Sequence, residues 1–212
     1  MTAQIGDIYK YEGKQYSIVA MSAPIGFKPQ DYGLNPQSCC TACWDGYWCE
    51  YQIENRSLLL KNFYMFNSEG NYPPFNGVNV SEQTYHEGRC VGSGKKKAEK
   101  IMLEDNMGHR VYKNVNLPIP YTGHVLVGDG FIPGYYIHMG YQNAWAYETL
   151  LEFIFENGKL VKTEQHSEMA KKLRAEIAEG VRDARDIESS IESFVAKSFS
   201  LDMKDKAWWI TT

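Results

Sequence analysis

The chain has 212 residues, of which 43% are hydrophobic and 23% are charged, as expected for a globular protein with one main core. A net charge of −4 gives no field that would gather nucleic acid or anionic membrane, so we expect neither as a partner. The first eight residues lack a secretion signal and no apolar run approaches the roughly 20 residues of a membrane span, which predicts a cytoplasmic protein.

The first half of the chain reads as short strands separated by turns. Apolar and aromatic residues alternate over residues 8–11 and 16–20, with Glu12 and Gly13 between them as a turn. The same alternation returns in residues 49–53, and a partner strand follows over residues 58–64. These segments predict two hairpins.

The later half continues this pattern up to about residue 160. Residues 101–103 are predicted to pair with 110–117, and residues 125–127 with 131–139 around Gly128-Asp129-Gly130. A last hairpin is expected at Asn157-Gly158. Nine or ten strands of this length predict an α+β, mainly β fold, either an antiparallel sandwich or a partly closed barrel.

Beyond residue 163 the apolar period changes from two to three or four residues. This pattern predicts a long C-terminal amphipathic helix, so we divide the chain into a β-rich domain (1–162) and a helix with a Trp-containing tail (163–212). The helix is expected to pack on the β domain or on a partner, because a lone helix gains little in water. A homodimer assembled through this helix is an alternative function.

The cysteines are the most unusual local feature. Five cysteines without a secretion signal indicate reduced thiols, and the simplest interpretation is that they are buried apolar residues and that the protein has no cofactor. Cys40 and Cys43, however, have the spacing of half a zinc site, and Cys49 and Cys90 could complete four ligands. Zinc is therefore the alternative.

The usual catalytic motifs are missing from the sequence, so we predict no catalytic residues. The enzyme alternative is a small metal-dependent or Cys/His-dependent hydrolase. Its candidate residues are His138 and His124, which fall on neighbouring predicted strands, together with Cys49 and Glu152.

Aromatic residues make up 14% of the chain and gather in loops and at strand ends. We therefore favour a non-catalytic binding or protein-interaction module with an unknown protein or small molecule as partner, one version being an immunity-like protein that masks a toxin. The aromatic residues expected to line the binding surface are Trp44, Tyr47, Trp48, Tyr72, Phe75, Tyr141 and Trp145.

Several segments resemble a family of bacterial cytoplasmic proteins of unknown function. They are YTGH (121–124), FI (131–132), YIHMG (136–140), WAY (145–147) and EFIFENGKL (152–160), together with WCEYQI (48–53), YP (72–73) and NGV (76–78). The resemblance covers about residues 5–160. The resemblance implies a compact β-rich domain, and no catalytic residue or cofactor can be inferred from it.

Overall fold

The structure is a computed structural model that describes residues 3–81, 108–137 and 141–179, and the backbone alone of residues 85–90 and 99–104. The described chain forms ten strands and one α-helix, which confirms the mainly β prediction. The strands are β1 (Ile8–Tyr11), β2 (Lys14–Met21), β3 (Tyr47–Glu54), β4 (Ser57–Met65), β5 (Tyr85–Cys90), β6 (Glu99–Glu104), β7 (Arg110–Pro118), β8 (Gly123–Phe131), β9 (Tyr147–Glu156) and β10 (Lys159–Gln165); the helix is α1 (Ser167–Ala178).

Seven of these strands close into a barrel. Neighbouring strands follow the order β10-β9-β8-β2-β1-β3-β4, and β10 pairs again with β4 to complete the circle. Strand β7 is added outside the circle along β4. The pairings are antiparallel except for β1 with β3, which are parallel. Of the two architectures predicted from the sequence, the barrel is therefore the one observed, and it is closed.

Two of the predicted hairpins are wrong. Strand β6 pairs with β5 in a separate two-stranded ribbon, whereas β7 pairs with β4. Residues 128–130 form no turn but continue β8, which pairs with β2 and β9. A Cβ atom at Gly128 would lie 2.3 Å from the Tyr147 ring, so this glycine allows a close approach between strands.

Alternate residues of each strand face the barrel interior. Tyr9, Tyr51 and Phe153 are fully buried there, together with Val125 and Val127. Their neighbours along the strands face the outer wall, as the period of two requires. Two outward-facing acids, Glu50 and Glu152, are each only 2% exposed because other side chains cover them.

Helix α1 packs on the outer wall of the barrel. Its Ala170 joins Leu126, Trp145 and Leu150 in a small apolar cluster. The rest of the predicted long helix and its tail, residues 180–212, lie outside the described residues, so the domain division and the helix-mediated homodimer stay predictions. Among the described residues, no helix has the length and apolar character needed to cross a membrane.

Candidate functional site

Four separate parts of the chain meet at one end of the barrel. Strands β1 and β3 are parallel and both begin there, and Met65 at the end of β4 pairs with the first residues of β3 and β7. Tyr141, in the connection between β8 and β9, reaches the same end, since a Cβ atom at Gly6 would lie 3.2 Å from its ring. We call this end the barrel mouth and define it by Asp7, Trp44, Asp45, Tyr47 and Tyr141.

A group of potential metal ligands lies beside the barrel mouth. The Sγ atoms of Cys39 and Cys43 and a ring nitrogen of His109 all lie within 4.8 Å of one another. The Cys39 Sγ is 3.5 Å from His109 Nε2 and 3.9 Å from the Sγ of Cys40. Cys43 and His109 are buried, at 4% and 1% exposure. Thiolates and imidazole are the ligands that zinc prefers, so this group could hold a metal ion.

Burial keeps these cysteines protonated when no metal is bound. Burial, with a smaller contribution from neighbouring thiols, raises the pKa of Cys39 to about 11 and that of Cys43 to about 12. A metal ion would displace these protons, because only the thiolate is a good ligand.

The ligand group differs from the one predicted from the sequence. Cys43 belongs to the group, and Cys40 lies beside it. Cys49 instead faces the barrel interior at 1% exposure, and burial raises its pKa well above the ordinary range. The side chain of Cys90 lies outside the described residues. Cys39 was missed although it is next to Cys40; His109 lies 70 residues away and carries no local signal.

A second polar cluster lies on the outer wall next to the start of α1. The buried Glu152 carboxylate accepts one hydrogen bond from His124 Nδ1 at 2.6 Å and another from His166 Nε2 at 2.7 Å. Glu164 Oε2 lies 3.9 Å from His166 Nε2. The sequence analysis paired His124 with His138 and gave Glu152 as a further candidate; the fold brings His124 and Glu152 together. His166 was missed because it follows β10 and is adjacent only through strand pairing.

The other two catalytic candidates do not join this cluster. Cys49 faces the barrel interior, whereas Glu152 and His124 are on the outer wall. A thiol with a strongly raised pKa is also a poor nucleophile. His138 lies outside the described residues.

Asp7 is the unusual acid of the barrel mouth. It lies just before β1, where its Oδ1 accepts a hydrogen bond of 2.8 Å from the Cys49 backbone N–H. Burial raises its pKa from 3.8 to about 7, the Cys49 hydrogen bond lowers it, and the nearby Asp45 raises it.

The predicted binding aromatics fall into two groups. Trp44 (59% exposed) and Tyr141 (39% exposed) belong to the barrel mouth together with the partly buried Tyr47. The others are packed against the protein: Phe75 in the core, Trp48 stacked on Tyr64, Trp145 under α1, and Tyr72 against the core with its hydroxyl bonded to Asn67.

No known protein family, curated protein or solved structure matches this chain. The geometry of these sites is therefore the basis for the functional proposals.

Proposed function

We propose that this protein is a non-catalytic, zinc-binding module that uses the barrel mouth to bind another molecule. The observation that carries the proposal is the spacing of the Cys39, Cys43 and His109 ligand atoms. Exposed aromatic side chains next to this group supply the contact surface, since Trp and Tyr are enriched where proteins bind their partners.

The distances in the group suit a tetrahedral zinc ion. With Zn–S of about 2.3 Å and Zn–N of about 2.0 Å, the edges of the tetrahedron are about 3.6 Å from sulfur to nitrogen and about 3.8 Å from sulfur to sulfur. The separations of Cys39 Sγ from His109 Nε2 and from Cys40 Sγ, 3.5 Å and 3.9 Å, are close to these values. We therefore propose Cys39, Cys43 and His109 as ligands. The fourth position would be taken by water, or by the nearby Cys40 after a shift of its side chain.

Zinc at this position would fix the loop that builds the barrel mouth. The loop over residues 37–46 is bonded to the end of β4 at both of its ends, through Gln37 N to Phe66 O at 2.9 Å and Phe66 N to Gly46 O at 2.8 Å. A metal shared with His109 adds a link between the middle of the loop and the start of β7. Trp44 and Asp45 directly follow Cys43, so a metal bound to Cys43 would restrict their movement.

Elemental analysis of the full chain, purified without chelator, tests the zinc assignment. We expect about one zinc per chain, lost in Cys39→Ser and in His109→Ala and retained in the matched control Cys49→Ala. The control also separates this ligand set from the one that includes Cys49. Circular dichroism checks that each variant keeps its β structure.

Zinc-free protein with five free thiols in denaturant would overturn the assignment. Zinc that remains in Cys39→Ser and His109→Ala but is lost in Cys49→Ala would do the same.

A metal-dependent hydrolase is the second candidate function, favoured by the cluster on the outer wall. Histidine and glutamate together are typical ligands of hydrolytic zinc sites, where the ion lowers the pKa of bound water to about 7. His124 is 32% exposed on its side chain, so a substrate could reach the cluster.

Hydrolysis of p-nitrophenyl acetate with added Zn²⁺ or Mn²⁺ tests this candidate. A hydrolase requires a metal-dependent rate that Glu152→Gln abolishes, with Glu50→Gln as the matched buried-acid control. A rate equal in both variants would exclude catalysis at this cluster.

A further inference from the structure

Two glutamates face each other on the outer wall of the barrel. Glu152 in β9 and Glu164 in β10 are direct partners in the antiparallel register, so both side chains project from the same face of the sheet. Their side chains are 2% and 34% exposed. Like charges directly opposite each other destabilise a pair of strands, and burial strengthens the repulsion. The pair therefore favours a cation between its two carboxylates.

His166 supplies a third ligand atom at the same place. Its Nε2 lies 2.7 Å from Glu152 Oε2 and 3.9 Å from Glu164 Oε2. The three groups offer ligand atoms that all lie within 4.8 Å of one another, and the imidazole is only 12% exposed. One imidazole and two carboxylates form a mixed nitrogen and oxygen set that suits a first-row divalent metal ion.

The second oxygen of each glutamate is held by a neighbouring side chain. His124 Nδ1 donates to Glu152 Oε1 at 2.6 Å, and Lys162 Nζ pairs with Glu164 Oε1. Each carboxylate is therefore oriented through one oxygen, and its other oxygen is the one paired with His166. Hydrogen bonds of this kind orient the ligating carboxylates of metal sites.

The distances leave room for an ion after a small adjustment. With metal–ligand bonds of about 2.1 Å, ligand atoms lie about 3.0 Å apart at octahedral angles and about 3.4 Å apart at tetrahedral angles. The two separations from His166 Nε2, 2.7 Å and 3.9 Å, lie on either side of these values. The ion takes the place of the Nε2 proton of His166, which is released to water, and water molecules complete the coordination.

An ion at this place joins three elements of the fold. Glu152 belongs to β9, Glu164 belongs to β10, and His166 is the residue immediately before α1. The junction is already bonded to β9, since Leu150 O accepts the His166 N–H at 2.9 Å and Leu150 N donates to Ser167 Oγ at 2.9 Å. The ion adds a link between the start of the helix and both strands.

We propose that Glu152, Glu164 and His166 form a structural site for a divalent metal ion of the Mn²⁺ class, which attaches the start of α1 to the outer wall. The site does not depend on zinc at the barrel mouth. It lies in the outer-wall cluster of the second candidate function and names the metal ligands there, but it requires no catalysis. Two carboxylates without a thiolate suit Mn²⁺, whereas the thiolates beside the barrel mouth suit zinc, so Mn²⁺ reports on the outer-wall site alone.

Titration of the full chain as purified with Mn²⁺, followed by electron paramagnetic resonance of the free ion, tests the site. Excess Mg²⁺ in the buffer suppresses binding to scattered surface acids. We expect about one Mn²⁺ per chain, with an affinity at least about tenfold lower in Glu164→Gln and in His166→Asn. Glu168→Gln is the matched control, because this acid of the first turn of α1 is 89% exposed, and it should bind as wild type does. Circular dichroism checks that each variant keeps its β structure.

Amide exchange in α1 tests what the ion does. An opening that separates α1 from the sheet also pulls His166 away from the two glutamates, so it requires release of the ion. At a free Mn²⁺ concentration about ten times the dissociation constant, such openings become about tenfold rarer, and exchange in α1 slows by the same factor. The same addition should leave exchange in Glu164→Gln unchanged.

The absence of saturable Mn²⁺ binding would overturn the inference, as would an affinity unchanged in both Glu164→Gln and His166→Asn. Binding at this site without slower exchange in α1 would contradict its structural role. The zinc content of the same samples separates this inference from the proposed function. Protein with zinc that binds no Mn²⁺ contradicts the inference alone, whereas zinc-free protein that binds Mn²⁺ contradicts the proposed function alone. Bound Mn²⁺ without ester hydrolysis contradicts only the second candidate function.

Discussion

Asp7 illustrates how one residue can link the stability of the fold to pH. Its carboxyl is buried, accepts a hydrogen bond from the Cys49 backbone N–H and lies within electrostatic reach of Asp45. Burial raises its pKa from 3.8 to about 7, so the native state prefers the neutral acid. The unfolded chain ionises first as pH rises, and stability is therefore lost between these two values and constant above them.

We expect Asp7→Asn to remove this dependence. The amide keeps the acceptor for the Cys49 N–H and carries no charge. Relative to wild type, the variant should gain on the order of 1 kcal/mol of unfolding free energy between pH 6 and pH 8, since one pKa unit corresponds to about 1.4 kcal/mol.

Urea unfolding at these two pH values measures the effect, with Asp31→Asn as the exposed control. If the difference in unfolding free energy between Asp7→Asn and wild type is the same at both pH values, the pKa of Asp7 is not raised.

Gly46 is a second residue whose identity is set by its surroundings. Its φ is +70°, and a Cβ atom there would lie 2.0 Å from the carbonyl oxygen of Gln37. Gly70 has the same φ of +70° with nothing within 4 Å of such an atom, so it is a matched control for the backbone strain alone. We expect Gly70→Ala to cost about 1 kcal/mol and Gly46→Ala at least about 3 kcal/mol, because only the second forces the backbone of Gly46 and Gln37 apart.

Urea unfolding of both variants, together with their zinc content, checks this expectation. Equal losses of stability in the two variants would mean that Gly46 and Gln37, the two ends of the loop, do not approach each other as described.

At the residue scale, the spacing of residues in the sequence predicted some members of the candidate sites. The short spacing of Cys40 and Cys43 indicated half of a metal site, and His124 and Glu152 were both named as candidate catalytic residues, although His124 was paired with His138. His109 could not be found in this way, because it reaches its cluster through β7, whose partner β4 is distant in the chain. His166 directly follows β10, whose hairpin with β9 was predicted, but it was assigned to the helical region beyond residue 163.

At the element scale, strand positions were predicted better than strand partners. Alternation of apolar residues depends on burial of one face, which the sequence shows directly. The partner of a strand depends on contacts between distant segments. Residues 110–117 were therefore assigned to the nearest strand, whereas β7 pairs with β4, some 50 residues earlier in the chain.

Helix α1 is attached to the barrel by an arginine. Arg174 Nη1 donates hydrogen bonds of 2.8 Å to the carbonyl oxygens of Trp145 and Tyr147. Arg174→Met keeps much of the apolar stem but leaves both carbonyls without this donor. We expect a loss of about 2 kcal/mol and faster amide exchange in α1, because hydrogen bonds to a charged group contribute more than neutral ones.

Lys171→Met is the matched control for this helix, since its side chain is 71% exposed. Exchange in α1 that is as slow in Arg174→Met as in the control would contradict the attachment described here.

For the whole molecule, the barrel and the loops of its mouth have different sources of stability. The barrel is held by continuous strand pairing around seven strands and by its aromatic interior. No residue of the loop over residues 37–46 belongs to the apolar clusters of the described residues, so we expect its order to depend on the proposed zinc. A ligand that binds only the native state stabilises it by mass action, so zinc removal should weaken the mouth first.

We therefore expect chelation to lower the melting temperature while the far-ultraviolet circular dichroism at room temperature stays unchanged. The fluorescence of Trp44, assigned by comparison with Trp44→Phe, should change on chelation and recover when zinc is restored. If chelation unfolds the whole barrel, or changes neither the melting temperature nor the Trp44 fluorescence, the barrel and its mouth do not have separate sources of stability.

Zinc K-edge X-ray absorption on the full chain tests the central claim most directly, because it identifies the atoms bound to the ion. A shell of sulfur at about 2.3 Å with imidazole nitrogen at about 2.0 Å is the predicted result. A shell of nitrogen and oxygen alone would place the ion at the His124, Glu152 and His166 cluster or on the surface, and would contradict a zinc-built barrel mouth.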